Sequence, residues 1–597
     1  MIALIVFTSS SYDLAKRIQN SLKDTIIHVY KSVKNYDDKK DIVFDDVNSH
    51  LCHIFKQRQP IVGICAAGIL IRSLANVLHN KEKEPPVLAI DHHGTIVIPL
   101  LGGHKGANKL TQDISRIINA HPCITTASDQ LLGFSLDDLP WGWKFDNQQT
   151  MKEATALLLE QQSVNLNIDT KVDHSWLSEK LTIDKDANIK ICLTEKIIHD
   201  YKTLSIHPAT LAIGIGCERF TDFTELEELV LSTLSKANLS ICSVACLCSI
   251  GIKMIEPAFH ELAKKFSIPL RFFNKDELNK QKDRLINPSQ TVFDSIGVWG
   301  VAESAALAAV GEDGQLIVEK QKSNRATCAI ARSNKIIAAD KIGQARGTLS
   351  VVGLGPGSFG MRTNEAEKIL LQTEHIVGYE GYIKLIENII HNQKIHLFAL
   401  GQEQERVEKA LDLASQGSKV ALVCSGDPGI YAMASLVFEC LDKSQSTEWS
   451  RIYVQIIPGI SAMHAVSARF GAPLGHDFCA VSLSDLLTPW GIIEKRITAA
   501  AQADFVIAFY NPTSRQRDWQ LQEACRIINR FRDPLTPVII GQSVGRAEEK
   551  LMYTNLQEIN FQDIDMFSLV IIGNSQTRKF EKKDGNFWIY TPRGYKL

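Results

Sequence analysis

Two textures of hydrophobic patterning alternate along the chain. Short continuous apolar runs, the mark of strands buried on both faces, are followed by stretches in which apolar residues recur at helical spacing. Met1 to Phe7 is the first such run, followed by helical spacing near Asp13 to Leu22 and a second run near Ile26 to Tyr30. Ile61 to Cys65 opens into Ala66-Ala67-Gly68 and a helix through Ile69 to Leu78, and Val87 to Asp91 and Ile96 to Leu100 read as further strands. The pattern restarts at Leu211 to Cys217, and again at Leu349 to Val352, which enters the turn Gly353-Leu354-Gly355-Pro356-Gly357-Ser358 before an amphipathic segment, Asn364 to Leu371. Strand–helix alternation on this scale predicts an α/β protein built from several doubly wound domains.

Where the pattern breaks, boundaries are expected. Asp137 to Gln149, rich in Trp, Asp and Gln, marks one; residues 150 to about 205 carry no readable motif; and the polar stretch 333–346 reads as a linker. The expected division is a first α/β domain over 1–135, an intermediate region over 136–206, a second α/β domain over 207–332, the linker, and a two-lobed unit over 347–597 with lobes of about 347–457 and 458–597. A chain of 597 residues is too long for one core.

Composition narrows the class only modestly. Hydrophobic residues make up 45% and charged residues 22%, with a formal net charge of −2, so no basic excess argues for nucleic acid or anionic lipid. There is no apolar run of the roughly 18 residues a membrane helix needs. The apolar N-terminus lacks a basic flank and reads as a buried strand rather than a signal peptide. The 13 cysteines are irregularly spaced. Their one cluster, Cys242, Cys246 and Cys248, lies inside the apolar stretch Ile241 to Ile252 without a second pair nearby, so buried thiols are expected, no metal site, and a reducing cytoplasmic setting.

The restart at Leu349 carries the densest chemistry. Its glycine turn is neither Gly-x-Gly-x-x-Gly nor a P-loop, and alone is equally consistent with a ligand-free strand-to-helix turn. Three later runs empty into similar loops: Val420 to Cys424 into Ser425-Gly426-Asp427-Pro428-Gly429-Ile430-Tyr431, Val454 to Ile457 into Pro458-Gly459-Ile460-Ser461-Ala462, and Phe505 to Phe509 into Tyr510-Asn511-Pro512. Ligands of open α/β sheets bind at such strand ends. With Gly378-Tyr379-Glu380-Gly381-Tyr382, Gly471-Ala472-Pro473-Leu474-Gly475-His476-Asp477-Phe478 and Ser482 to Trp490, these segments resemble the tetrapyrrole methyltransferases, in particular precorrin-3B C17-methyltransferase, from Gly347 to the C-terminus. One departure is Arg362-Thr363-Asn364-Glu365 in place of a Leu-Thr-Pro-like helix entry; Thr363 can still cap the helix. The resemblance implies S-adenosylmethionine as methyl donor, held by Pro356, Ser425, Gly426, Asp427, Ile430, Ser461, Ala462 and Asn511, and a homodimer formed through this half. His476, Asp477 and Asp485 are candidates for acid–base work on the macrocycle, or for loop capping.

In the front half, Leu100 runs into Gly102-Gly103-His104-Lys105-Gly106-Ala107-Asn108, a glycine turn presenting a histidine that can act as a general base, an anion contact or a turn residue satisfying loop carbonyls. Basic residues at other strand ends, Lys253, Lys320 and Lys322, suit a polycarboxylated ligand or are solvated surface groups. With Ile124-Thr125-Thr126-Ala127-Ser128-Asp129, Gly214-Ile215-Gly216-Cys217 and Val301 to Ala306, this half resembles the cobalt-precorrin-5A hydrolases over roughly residues 1–332. Members often have two glycines where Gly106 stands alone, which weakens any role for Lys105.

Together the resemblances imply two reactions in cobalamin biosynthesis: C17 methylation with ring contraction of precorrin-3B or its cobalt form, and opening of the resulting δ-lactone with loss of acetaldehyde. His104 is the preferred lactone-opening base, with glycine-loop N–H groups at 102–106 as oxyanion donors. The lactonase-like half favours the route in which cobalt enters early. The alternatives are a non-catalytic, tetrapyrrole-holding front half, a methyltransferase for another carbon or substrate, and a metabolite-binding regulator without methyl transfer.

Overall fold

The computed structural model describes all residues except 1, 23, 35, 38–40, 80–83, 127–130, 132–133, 162, 201, 391, 515–516, 582–586 and 596–597, and no side chain for 104, 161 and 388. The chain folds as two compact units, Met1–Arg346 and Gly347–Leu597.

The first unit holds three sheets. The first runs in the order Ile42–Phe44, Thr25–Tyr30, Ile2–Val6, Ile61–Ile64, Val87–Ile90, Ile96–Leu101, His121–Pro122, and is parallel except where Val87–Ile90 meets Ile96–Leu101. Its central strands are apolar because helices cover both faces, Leu4 and Val6 packing to one side and Ala3 and Ile5 to the other. The second sheet contains Thr182–Ile183, Ser163–Asp169, Lys190–Thr194, Thr203–Pro208 and Trp143–Phe145, so the motif-poor stretch is a folded α/β layer with its own core around Trp143, Leu158 and Ile191. The third sheet is ordered Leu270–Phe273, Val244–Ile250, Leu211–Cys217, Ala326–Arg332, Gln315–Lys322, with the last two strands running antiparallel to their neighbours. The helix Ala302–Val310 lies so close on it that a Cβ at Gly214 would sit 1.8 Å from the Ala302 carbonyl oxygen, which is why that strand carries glycine there.

The polar stretch 333–346, read above as a linker, has specific partners in the first unit. The Ser333 N–H donates to the Thr210 carbonyl at 2.9 Å, Phe272 and Gln344 exchange two backbone hydrogen bonds at 2.7 and 2.8 Å, and Arg271 donates to the Ile342 carbonyl at 2.8 Å. Polar composition here reflects backbone pairing along the edge of the third sheet rather than a solvated tether.

The second unit opens with a five-stranded parallel sheet, ordered Lys394–Phe398, His375–Tyr379, Lys419–Cys424, Thr348–Gly353, Tyr453–Ile457. A second sheet is mixed: Phe478–Ser482 and Val506–Tyr510 run parallel, and Ser568–Ile572, Pro537–Gln542 and Lys550–Asn555 continue it antiparallel. A small sheet joins Gly471–Ala472, Phe587–Tyr590 and Arg578–Glu581. Among the described residues, no helix is long and apolar enough to cross a membrane.

Candidate active site

The first sheet of the second unit places three adjacent strand ends together: Gly353, Cys424 and Ile457. Their loops interlock through backbone contacts that leave no room for side chains. Gly355 and Gly426, with φ of 76° and 70°, exchange hydrogen bonds at 2.8 and 3.2 Å. A Cβ on Gly353 or Gly459 would come within 2.6 and 2.1 Å of the Gly426 carbonyl oxygen. Asp427 locks the assembly. Its Oδ1 accepts the Gly429 N–H at 2.8 Å within its own loop, and its Oδ2 accepts the Gly459 N–H at 3.1 Å across to the next. Charge-assisted bonds of this type are about twice as strong as neutral ones.

These loops border a cavity of about 270 Å³. Six of the residues expected to hold the donor line it: Ser425, Gly426, Asp427, Ile430, Ser461 and Ala462. Ser461 caps the helix Ala462–Phe470, its Oγ accepting the His464 N–H at 3.3 Å and lying 2.7 Å from His464 Nδ1. Pro356 and Asn511 stand outside the lining. The Pro356 carbonyl accepts from Arg546 Nε at 3.3 Å, and Asn511, in the left-handed region with φ 51°, donates to Ser482 Oγ at 3.1 Å.

Several cavity residues were missed by the sequence reading. Arg406 is 2% exposed; it donates to the Ala399 carbonyl at 3.1 Å, and its buried Nε has no hydrogen-bond partner among the described residues. Its signal was an arginine in the helix Glu403–Ser415 that shares the buried face of Val407, Ala410 and Ala414. Tyr510 accepts the Met463 N–H at 3.2 Å, and burial raises its phenol above the ordinary value despite opposing help from Ser461 and Met463. Burial also pushes the Cys424 thiol up to about 12, so it stays protonated. Tyr431, held with φ 50°, donates to the Ala480 carbonyl at 2.8 Å and tethers its loop to the second sheet. The cavity therefore offers backbone amides, neutral hydroxyls, one buried guanidinium and the carboxylates of Asp427 and Glu403. It has no thiolate or phenolate nucleophile, and it suits positioning of a polar, partly anionic ligand.

The three acid–base candidates are separated by strand direction. Asp485 follows Phe478–Ser482 on the same side as Asn511, but its Oδ2 accepts from Gln520 Nε2 at 3.0 Å and its Oδ1 lies 3.9 Å from Arg517 Nε, which fixes the loop. His476 and Asp477 precede that strand, so the length of five residues, roughly 16 Å, separates them from the Asn511 end. They line a different cavity of about 730 Å³ with Arg578 and Arg593, the larger of the two but remote from the interlocked loops. Their placement is therefore beside this second cavity rather than among the interlocked loops.

In the first unit, the backbone of His104 lies in a short turn, Gly103–Lys105, flanked by Gly102 and Gly106 with φ of 70° and 94°. The His104 side chain lies outside the described residues, as do Ala127, Ser128 and Asp129. Glu303, in the first turn of the helix Ala302–Val310, has a defined task. Glu303, 2% exposed, accepts the Ile286 and Asn287 N–H groups at 2.9 and 3.0 Å, Asn287 Nδ2 at 3.0 Å and the Lys320 N–H at 2.9 Å. Burial works to raise its carboxyl pKa, and these bonds outweigh it and hold the group below the ordinary value. No cluster of three or more His, Cys, Asp or Glu able to hold a metal occurs among the described residues.

Comparison with known proteins locates this geometry. Residues 348–560 match the Tetrapyrrole (Corrin/Porphyrin) Methylases, residues 49–129 the Cobalamin synthesis G N-terminal family and residues 211–331 the Cobalamin synthesis G C-terminus. A probable cobalt-factor III C(17)-methyltransferase of Salmonella typhimurium is 45% identical over 249 residues, 42% of this chain and 100% of that protein. A precorrin-3B C(17)-methyltransferase of Sinorhizobium sp is 42% identical over 250 residues, 42% of this chain and 97% of that protein. A cobalt-factor III methyltransferase of Priestia megaterium is 42% identical over 250 residues, 42% of this chain but only 45% of that longer protein. The chain belongs to the tetrapyrrole methylase family through its second unit, joined to N- and C-terminal domains of the cobalamin synthesis G type.

Proposed function

We propose that the chain is a bifunctional enzyme of cobalamin biosynthesis. Its second unit is an S-adenosylmethionine-dependent C17-methyltransferase that methylates and contracts precorrin-3B or its cobalt form. Its first unit is a hydrolase that opens the δ-lactone of cobalt-precorrin-5A with loss of acetaldehyde. The observation that carries the first reading is the set of loops locked by Asp427 at three adjacent strand ends, bordering a cavity with a buried Arg406 Nε that has no partner among the described residues.

S-Adenosylmethionine would supply an electrophilic sulfonium methyl group, passed to a carbon nucleophile with S-adenosylhomocysteine as the leaving group. Ser425, Gly426, Asp427, Ile430, Ser461 and Ala462 hold and orient this donor, Arg406 adds a buried cation for its carboxylate, and Pro356 and Asn511 shape the neighbouring loops. Such displacement depends mainly on holding donor and carbon nucleophile at reacting distance, which rigid interlocked loops favour. In the first unit, His104 takes the proton from the attacking water, and the amides of its glycine turn receive the developing oxyanion.

The partners in this reading are tetrapyrroles, with no nucleic acid or membrane, and the second unit forms a homodimer. A cytoplasmic setting accords with 13 free thiols and no disulfide. The test is mass spectrometry of products after incubation with S-adenosylmethionine and precorrin-3B, with and without cobalt. A singly methylated, ring-contracted product is expected from precorrin-3B, and release of acetaldehyde when the same protein is given cobalt-precorrin-5A; recovery of unmethylated substrate overturns the reading.

A further inference from the structure

At one end of the third sheet of the first unit, charged residues are spent on backbone so that apolar ones face outward. Leu211–Cys217 and Val244–Ile250 run parallel, so the loops after Cys217 and Ile250 emerge at the same end. Cys217 is opposite Ala326, which brings the end of Gln315–Lys322 there too. Phe220 is 83% exposed, although its backbone sits at φ 57°, an unfavourable conformation for an aromatic residue. Buried Glu256 maintains it, accepting the Phe220 N–H at 2.8 Å. Glu303 does the same for Ile286, which is 60% exposed, and Ile255 adds a third outward apolar side chain at 52%.

Cations accompany these three. Lys253 lies 3.4 Å from Glu256, which engages one of its three donors, and exposed Lys322 ends its strand beside Lys320. Burial first, and then the charge of Lys322, hold Lys320 below its ordinary pKa against the opposing pull of Glu303. Burial pushes the Cys217 thiol up to about 11, Lys253 drawing it down and Glu256 up, which leaves a protonated thiol rather than a thiolate here.

We infer that this end of the sheet, with Phe220, Ile255 and Ile286 as an apolar platform and Lys253 and Lys322 as anion contacts, binds a planar macrocycle bearing several carboxylates. The inference rests on the proposed hydrolase reading and gives the first unit a substrate-holding surface separate from the His104 turn. A flat ring system covers the three apolar side chains together, and peripheral carboxylates reach the ammonium groups. Two buried carboxylates that each fix the backbone of an outward apolar residue supply the preorganisation such binding needs.

The test is a lysine-acylation footprint of the full-length protein, with and without uroporphyrin III as an octacarboxylate probe, read by mass spectrometry. Lys253 and Lys322 are expected to react at least threefold more slowly with the probe present. Lys236, at the far end of the helix Phe223–Lys236 that runs back along the sheet, should not change. In Phe220→Gly/Lys322→Glu, which removes the ring and relieves the strained backbone, protection of Lys253 should vanish while methyl transfer is retained. Equal acylation with and without probe, or undiminished protection in the double variant, overturns the site. So does protection that depends on protein concentration without probe, since a second copy would then be the occupant. Protection by uroporphyrin III in a protein that releases no acetaldehyde from cobalt-precorrin-5A would instead count against the hydrolase reading and leave the binding surface standing.

Discussion

The carboxylate of Asp427 is hydrogen-bonded to Gly459, a residue 32 positions further along the chain, at 3.1 Å, while its other oxygen holds Gly429 at 2.8 Å. Both oxygens thus serve backbone amides, and the residue acts on the cavity chiefly by fixing the separation of two strand-end loops. Hydrogen bonds to a charged group contribute about 1.5–3 kcal/mol each. Asp427→Ala is therefore expected to weaken S-adenosylmethionine binding by roughly tenfold or more, a tenfold change being about 1.4 kcal/mol. Asp427→Asn, which keeps one acceptor, should fall between. Calorimetry on the full chain reads this directly, and unchanged affinity in Asp427→Ala would remove the residue from the site.

Arg406 offers an independent probe of the same cavity. Its guanidinium is 2% exposed, with Glu403 3.7 Å from Nη2 and Nε without a partner among the described residues. Breaking a buried ion pair is costly when it strands a buried charge, but Glu403 is half-exposed, so an apolar side chain of similar length at 406 leaves no buried carboxylate unpaired. Arg406→Met should keep the melting temperature within a few degrees or raise it, yet weaken S-adenosylmethionine binding at least tenfold. Donor affinity equal to that of the parent protein would show that the guanidinium serves only the fold.

The position of each candidate relative to strand direction separates reaction chemistry from architecture. His476→Ala and Asp477→Asn alter groups at the start of Phe478–Ser482, and each should leave the methyl-transfer kcat within about twofold, because roughly 16 Å of strand lies between them and the cavity side. Asn511→Ala, at the other end, should lower kcat by more than tenfold through loss of its bond to Ser482. A large kcat loss in His476→Ala with normal stability would reinstate it as a reacting group.

Sequence patterning made the glycine loops legible, since Gly353 and Gly459 are required by contacts that any Cβ would obstruct and Gly426 by its left-handed backbone. It also located the strand ends, because continuous apolar runs mark strands covered on both faces. The middle sheet was less visible. In Ser163–Asp169 the apolar residues Val164, Leu166 and Ile168 alternate with polar ones, a half-buried pattern that a search for continuous apolar runs passes over. Arg406 was hidden by its charge, which ordinarily signals a solvated helix face. His476 and Asp477 look reactive in a one-dimensional motif, whereas only the direction of the strand after them reveals which end of the sheet they occupy.

Glu303 gives a pH-dependent stability prediction. Burial opposes ionisation, but four hydrogen bonds favour it more, so the folded-state pKa lies below the unfolded one. The stabilisation is fully present above the unfolded value of about 4.3 and is lost as pH falls through the lower folded value. Glu303→Gln turns an amide toward N–H donors and is expected to cost about 2–4 kcal/mol at neutral pH. Denaturation of the parent and variant followed from neutral pH to pH 3 should show their stabilities converging at the acid end. A constant gap across that range would contradict the assignment.

His104 tests whether the two activities separate. The turn that carries it is bounded by two left-handed glycines at the end of Ile96–Leu101, which sets the backbone of this imidazole-bearing residue apart from the following helix Ala107–Ile118. A histidine titrates near neutrality and can take a proton from water at physiological pH, unlike a lysine of ordinary pKa. His104→Ala is expected to abolish acetaldehyde release from cobalt-precorrin-5A, leaving its lactone intact in the mass spectrum, while methyl transfer to precorrin-3B continues. Normal acetaldehyde release would move the search to Glu256 and Lys253, which lie 3.4 Å apart at the strand ends of the third sheet, and away from Glu303, whose oxygens are committed to the 286–287 loop and Lys320. Loss of both activities with the fold intact would show that methylation depends on this turn and that the chain does not operate as two separate catalysts.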